Sequence, residues 1–178
     1  MATNVVIKNR VQAMNIDTYN RTAIATVDIE NGSVFKLDTY STTDGEGTVW
    51  NATAAGDVTA KGLWMATSPE VVITKNAMGS EYKGLTPDPR AFINGAGRVI
   101  DATFLAPHDI IEMTGANIAN IATNGYLIPA ATGFALASSA TAGTGFTLKK
   151  IGTGILHIGN AGLVKVPVTT YKFEVVNN

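Results

Sequence analysis

Residues 86–114, TPDPRAFINGAGRVIDATFLAPHDIIEMT, contain the clearest succession of structural signals in the chain. Thr86 can cap a helix, and Pro87 suits a first helical position, where proline's missing amide would be unpaired anyway. A short helix is therefore predicted over residues 87–93. The apolar residues of 98–105 and 110–113 predict two strands, which a turn at residues 107–109 joins.

Two alternating segments lie upstream of this stretch. Residues 22–29 (TAIATVDI) and 34–40 (VFKLDTY) each place apolar side chains on every second position, as strands do. Asn31 and Gly32 lie between them, and both residues accept a positive φ angle. The pattern predicts a β-hairpin in which these two strands pair directly.

Short apolar runs separated by glycine continue to the C-terminus, and residues 116–121 are predicted to add a second helical turn. Many short strands with almost no helical periodicity favour a mainly β fold. We predict an antiparallel sandwich or barrel-like β domain over residues 22–178, with one or two short helices. The remaining strands are predicted at 49–52, 63–67, 71–74, 126–130, 134–137, 146–150, 154–158, 163–166 and 170–176.

Residues 1–21 carry apolar side chains at no regular period, which is typical of an extended arm. We expect this N-terminal arm to contact a neighbouring subunit, either by adding a strand to its sheet or by filling a groove. The candidate interaction residues are Val5, Ile7, Val11, Met14 and Ile16.

The composition is poor in charge. Of 178 residues, 15% are charged and 46% are hydrophobic, and the net charge is −1; soluble domains average about 25% charged residues. Because surface charge keeps monomers soluble, this composition predicts that part of the surface contacts another subunit. A threonine-rich β surface without a partner is the alternative.

Several classes of function are disfavoured. No basic cluster exists, so we exclude nucleic-acid binding, and the absence of cysteine excludes disulfides and thiolate chemistry. No apolar run has the length of a secretory signal or a membrane span, so we expect a chain made in the cytoplasm that does not enter a membrane.

No motif for catalysis or for metal or cofactor binding is present, and we predict no catalytic residue, no metal and no cofactor. His108 and Asp109 are adjacent in the predicted turn, where we expect an exposed histidine and a carboxylate that bonds turn amides. His157 should lie on the strand face opposite Leu156 and Ile158. An enzyme is therefore disfavoured.

The tryptophans raise the alternative of carbohydrate binding. Trp64 lies between Leu63 and Met65 and is predicted to be buried, whereas Trp50 follows a glycine-rich loop and is the candidate for an exposed platform that stacks on a sugar. Aromatic residues of β domains usually belong to the core, so this alternative ranks below a structural role.

Four segments resemble small structural proteins of tailed phages of Gram-positive hosts, which act as head decoration (cement) proteins or related virion components. They cover somewhat over half of the chain and contain no catalytic motif. These segments are residues 22–42 (TAIATVDIENGSVFKLDTYST), 49–75 with GLWMATSPEVVIT, 82–113 (YKGLTPDPRAFINGAGRVIDATFLAPHDIIEM) and 171–176 (YKFEVV).

The resemblance implies a capsid decoration protein that binds the assembled phage head and stabilises the contacts between capsomers. The expected partners are the major capsid protein of the same particle and further copies of the chain, and the expected location is the capsid surface of the virion. Two alternatives stay open: a virion β domain that binds surface carbohydrate, and a tail or connector component.

Overall fold

The computed structural model of the protein describes residues 2–7, 19–42, 48–70, 73–75, 81–83, 89–159 and 165–178. A 3-10 turn at Pro89–Ala91 accompanies the strands. The strands of the described residues are β1 (Asn20–Ile24), β2 (Val34–Tyr40), β3 (Val49–Ala54), β4 (Trp64–Ala66), β5 (Ile73–Lys75), β6 (Glu81–Lys83), β7 (Val99–Phe104), β8 (Ile110–Thr114), β9 (Tyr126–Pro129), β10 (Leu136–Ser139), β11 (Thr147–Gly159) and β12 (Lys165–Asn177).

Five of these strands close into a small barrel in the order β1-β3-β2-β4-β7, with β7 pairing back onto β1. All neighbours are antiparallel except β1 and β3, which run parallel. Small side chains fill the interior next to a few large ones, because five strands leave little space inside. The interior cluster comprises Ala23, Ala25, Ile29, Phe35, Ala66, Ile100 and Ala102.

A second sheet of five strands has the order β10-β9-β11-β12-β8, and β5 and β6 form a separate two-stranded ladder. The apolar face of this sheet packs against the outer wall of the barrel. From the barrel come Val34 and Met65, which oppose each other across β2 and β4. From the sheet come Met113, Leu148 and Phe173, all of them 0–1% exposed. The main core therefore lies between barrel and sheet.

The mainly β fold with a barrel is confirmed, but the direct hairpin across Asn31-Gly32 is wrong. The turn exists, with Gly32 at φ +80° and Ser33 N donating to Glu30 O at 3.2 Å. The two flanking strands do not pair, because β3 lies between β1 and β2. Ile29 instead exchanges two backbone hydrogen bonds of 2.9 Å with Asn94, which holds the end of the first segment beside the central stretch.

Two other expectations need correction. The predicted strands at 146–150 and 154–158 belong to one strand, β11. The predicted strand at 170–176 and the described part of the one at 163–166, residues 165–166, belong to one strand, β12. Gly152 does not interrupt β11, because a bulge at Ile151 absorbs the irregularity and the pairing resumes between Gly152 and Lys172. The predicted helix at 116–121 is a series of turns.

The helix predicted at 87–93 is limited, within the described residues, to the 3-10 turn Pro89–Ala91. β1 ends at Ile24, five residues before the predicted end at residue 29, and β6 has no counterpart among the predicted strands. The other described strands lie within about two residues of their predicted positions, as element boundaries usually do. In the part of the chain that the structure describes, no helix combines the length and the hydrophobicity that crossing a bilayer requires.

Gly145 provides a test of how closely the barrel loops pack on the sheet. Phe146 N donates to Ala60 O at 2.7 Å, and a methyl group on Gly145 would collide with the backbone of Thr59 and Ala60. We expect Gly145→Ala to lower the free energy of unfolding by about 1–3 kcal/mol, since backbone cannot give way as a flexible side chain does.

The matched control is Gly125→Ala, because a methyl group there meets no atom within 4 Å. We expect its free energy of unfolding to stay within about 1 kcal/mol of the wild type. Urea denaturation followed by fluorescence measures both variants, and equal stabilities would contradict the close packing of residues 59–60 on Gly145.

Candidate interaction surfaces

The first residues of the chain form an additional edge of the second sheet. Thr114 N donates to Val5 O, and Ile7 N donates to Glu112 O, both at 2.9 Å, so residues 5–7 lie antiparallel to β8. Val6 is 3% exposed and belongs to the main core. Residues 2–7 are therefore a strand-like part of the domain.

The same packing decides where the candidate interaction residues lie. Val5 is 2% exposed and Ile7 is 7% exposed, so their side chains are covered within the chain and do not present a free contact surface. Sequence reasoning missed this because the alternation over three residues is too short to distinguish an edge strand of the domain from an arm. Val11, Met14 and Ile16 lie outside the described residues.

The sequence predicts a boundary between an arm over residues 1–21 and a domain from residue 22. Backbone hydrogen bonds and strand pairing connect the two sides of this boundary. Thr3 N donates to Arg90 O at 2.9 Å, which ties the start of the chain to the central stretch. At the other end of the predicted arm, Asn20 and Arg21 already belong to β1 of the barrel and pair with Thr103 and Ala102.

A long two-stranded ribbon leaves the second sheet. β11 and β12 are each 13 residues long and pair from Thr147 to Gly159. At about 3.3 Å per residue they extend for about 40 Å. Among the strands that the structure describes, neighbours flank the base and not the rest of the ribbon: β9 pairs with Leu148 and Lys149, and β8 pairs with β12 from Thr170 to Glu174. We call residues 151–159 and 165–169 the distal ribbon.

The distal ribbon has one covered face and one exposed face. Ile158 is 4% exposed, and Leu156 and Val168 are half-buried on the same face. On the other face Ile155 is 56% exposed and pairs with the exposed Thr169. The bulged Ile151 is 46% exposed. Val166 pairs with Ile158 and so lies on the covered face, where it is 37% exposed. A two-stranded ribbon with apolar residues in solvent is marginally stable alone, so this surface is suited to contact.

The distal ribbon is almost free of charge. Between residues 151 and 170, Lys165 is the one charged residue of the sequence. Exposed strand edges normally carry charges or other features that prevent pairing with foreign strands. Within the described residues, no strand pairs with the outer edges of the distal ribbon. The β12 edge carries Lys165 and Pro167, which hinder pairing with a foreign strand, so the exposed face and the outer edge of β11 are the parts that favour β-type contact with another chain.

The titratable side chains of the described residues do not converge on a reactive arrangement. His108 is 87% exposed at its side chain and its Nδ1 lies 3.0 Å from Glu174 Oε1, whereas Asp109 Oδ2 accepts a hydrogen bond from Ala106 N at 2.8 Å. The predicted exposed histidine and amide-bonded aspartate are confirmed. His157 is exposed opposite Leu156 and Ile158, as predicted.

One carboxylate lies deep in the structure. Glu112 in β8 is 1% exposed, and it accepts a hydrogen bond from Thr170 Oγ1 on β12. Lys172 Nζ lies 4.0 Å from its Oε2. These contacts connect two neighbouring strands at the root of the distal ribbon. Among the described residues, no three His, Asp or Glu side chains are grouped so that they could hold a metal ion.

Asp57 has a pKa below its ordinary value, chiefly because the side chain and the backbone amide of Thr59 donate hydrogen bonds to its carboxylate. This lowering means that the bonds stabilise the turn at pH values above the ordinary carboxylate pKa and lose that effect as the pH falls through the lowered pKa. Asp57 therefore shapes the loop that packs on Gly145 and Phe146.

The two tryptophans occupy the same end of the barrel. Trp64 is half-buried rather than buried, because it lies at the start of β4, where the barrel opens. Trp50 is half-buried as well, and its ring stacks on Tyr40 with 4.2 Å between the ring centroids. Trp50, the candidate for an exposed platform, is therefore neither fully exposed nor part of the buried core.

Compared with known proteins, the chain matches no family model, no curated protein and no solved structure.

Val6 tests whether the first residues are part of the domain. We expect Val6→Asp to lower the free energy of unfolding by about 3–5 kcal/mol, because it places an unpaired carboxylate in the main core. Ala2→Asp is the control, since Ala2 is exposed, and it should change stability by about 0.5 kcal/mol or less. Urea denaturation measures both, and a Val6→Asp protein of wild-type stability would show that residues 2–7 do not belong to the core.

Proposed function

We propose that this chain is a structural protein of a tailed-phage particle, and that it binds the assembled head as a decoration protein. The observation that carries the proposal is the distal ribbon: a long two-stranded extension with exposed isoleucines and with Lys165 as its one charged residue. A binding role through contact area needs such a surface and needs no catalytic group. The resemblance of the sequence to head decoration proteins supports the same reading.

The core explains how such a ribbon can act as an anchor. Its base is held between β8 and β9, and Leu148 and Phe173 at the base are 0–1% exposed. A ribbon with a rigid base keeps its exposed face oriented, so little conformational entropy is lost when it docks. The distal residues then contribute apolar area and the outer edge of β11 to the interface.

The energetics favour binding to a finished shell over binding to single subunits. Fully burying one isoleucine contributes about 1.5–3 kcal/mol, so one ribbon offers a modest interaction. A surface formed by two adjacent capsomers exists in the assembled shell alone, and a ligand that binds only the assembled form stabilises it by mass action. We also propose that the chain forms a homo-oligomer on the shell. Contacts between the ribbons of different copies would then bury further apolar area and stabilise the assembled form in the same way.

Ile155 tests the proposal. We expect Ile155→Lys to weaken attachment to heads that lack the protein by about tenfold or more, because the substitution removes about 1.5–3 kcal/mol of apolar burial and puts a charge into the interface. Cosedimentation with purified heads of the phage that encodes the chain measures the attached fraction.

Val99→Lys is the matched control. Val99 lies in barrel strand β7 and is 55% exposed, against 56% for Ile155, so both substitutions place a lysine at an exposed apolar strand position. We expect Val99→Lys to attach like the wild type. Equal attachment of all three proteins would remove the ribbon from the interface, and attachment to purified tails in place of heads would favour the tail or connector alternative.

A further inference from the structure

One end of the barrel concentrates aromatic rings. Because β1 runs parallel to β3 and antiparallel to β7, the starts of β1 and β3 and the end of β7 lie at the same barrel end. The pairing of β7 with β4, and of β4 with β2, adds the start of β4 and the end of β2. The residues at these positions form the aromatic barrel end: Tyr19, Arg21, Tyr40, Trp50, Trp64 and Phe104.

A bulge in β2 turns Tyr40 toward Trp50. Leu37 pairs with Ala52, yet the next pair is Tyr40 with Trp50, so β2 holds one residue more than β3 in this interval. In a regular strand Tyr40 would lie on the opposite face from Leu37; the extra residue places it on the same face. Asn51 Nδ2 donates to Thr39 Oγ1 at 3.1 Å and to Tyr40 O at 3.4 Å, which fixes the bulge.

The resulting rings are held in place and remain accessible. Tyr40 and Trp50 stack at 4.2 Å with an angle of 34° between their planes, and Tyr40 is 53% exposed. On the other side of the barrel end, Trp64 and Phe104 lie 5.4 Å apart, and the guanidinium of Arg21 lies 5.9 Å from the Trp64 ring. Stacked and half-buried rings are rigid, so they can bind a ligand with little loss of entropy.

A polar groove continues from this end along the outside of the barrel. Its volume is about 470 Å³, within the usual size of a small-molecule site, and Arg21 belongs to both the groove and the aromatic end. Hydroxyl, amide and carboxyl groups dominate its lining. The lining residues are Asn20, Arg21, Thr22, Thr48, Thr67, Asp101, Ala102 and Thr103.

We propose that the aromatic barrel end with this groove binds a neutral oligosaccharide. A pyranose ring has an apolar face of C–H groups that can rest on an aromatic ring, and its rim of hydroxyls needs both donors and acceptors. The exposed Tyr40 ring, stacked on Trp50, supplies the apolar contact. Arg21 and the Thr48 hydroxyl supply donors, and Asp101 and the hydroxyl oxygens of the other threonines supply acceptors. Those threonines accept because their protons are already used: Thr22 Oγ1 donates to Thr48 O, and the hydroxyls of Thr67 and Thr103 bond each other.

Nucleic acid fits this surface less well. Stacked bases also use aromatic rings, but their phosphates require a cluster of basic residues. The groove contains Arg21 together with Asp101, and the exposed Asp38 adjoins the platform on β2. A ligand without net charge matches this balance of charges.

The sugar site stands independently of the shell attachment, since the ribbon and the aromatic barrel end belong to different sheets.

Tryptophan fluorescence reports on this site directly, because both tryptophans of the chain, Trp50 and Trp64, lie in the aromatic barrel end. The experiment titrates the full-length protein with tetra- to hexasaccharides of glucose, galactose, mannose and N-acetylglucosamine, and follows tryptophan emission. We expect a saturable change with at least one of these probes and a Kd of about 1 mM, the range of one or two ring contacts.

Variants distinguish the site from a general effect. Tyr40→Ala should weaken the binding about tenfold, since it removes the exposed ring of the stack. Tyr126→Ala, a half-buried tyrosine on β9 of the other sheet, should bind like the wild type. No saturable change with any probe, or equal binding by Tyr40→Ala and the wild type, overturns the proposal. Loss of head attachment by Tyr40→Ala in the absence of sugar binding would overturn it as well, and would assign this end to protein contact.

Discussion

The packing of the barrel's outer wall on the apolar face of the second sheet is the interaction on which the other features depend. Val34 and Met65 on one side meet Met113 and Phe173 on the other, and all four are 0–1% exposed. Each such side chain contributes about 1.5–3 kcal/mol when buried. The contact fixes β8 and β12 against the barrel, and these strands in turn hold residues 5–7 on one side and the root of the distal ribbon on the other.

Two surfaces that differ in polarity lie outside this core. The distal ribbon is poor in charge, as a surface that is buried in an assembly should be, and the β11 part of the ribbon, residues 151–159, has none of the charged residues that usually prevent strand pairing at an edge. The aromatic barrel end combines rigid rings with a hydroxyl-lined groove, a combination that suits a small polar ligand more than a large protein interface. A particle protein that carried both would be fixed to the shell by one surface and would present the other to its surroundings.

Much of the fold could be predicted from the sequence because strand alternation and turn residues are local signals. The strands at 99–104 and 110–114 and the turn with His108 and Asp109 follow directly from them. Pairing is not local. Asn31-Gly32 makes its turn, yet β3 inserts between the flanking segments, which no short-range signal records. The length of β11 was also hidden, because Gly152 reads as a break until the bulge at Ile151 is seen.

The interaction residues were harder to predict than the fold for the same reason. Val5 and Ile7 looked free because their partners, Glu112 and Thr114, lie more than a hundred residues away.

Cryo-electron microscopy of intact phage particles that contain the chain tests the central claim most directly. The account predicts symmetry-related copies on the head with the distal ribbon between neighbouring subunits. Copies on the head whose distal ribbons point into solvent, or heads without any copy, would contradict it.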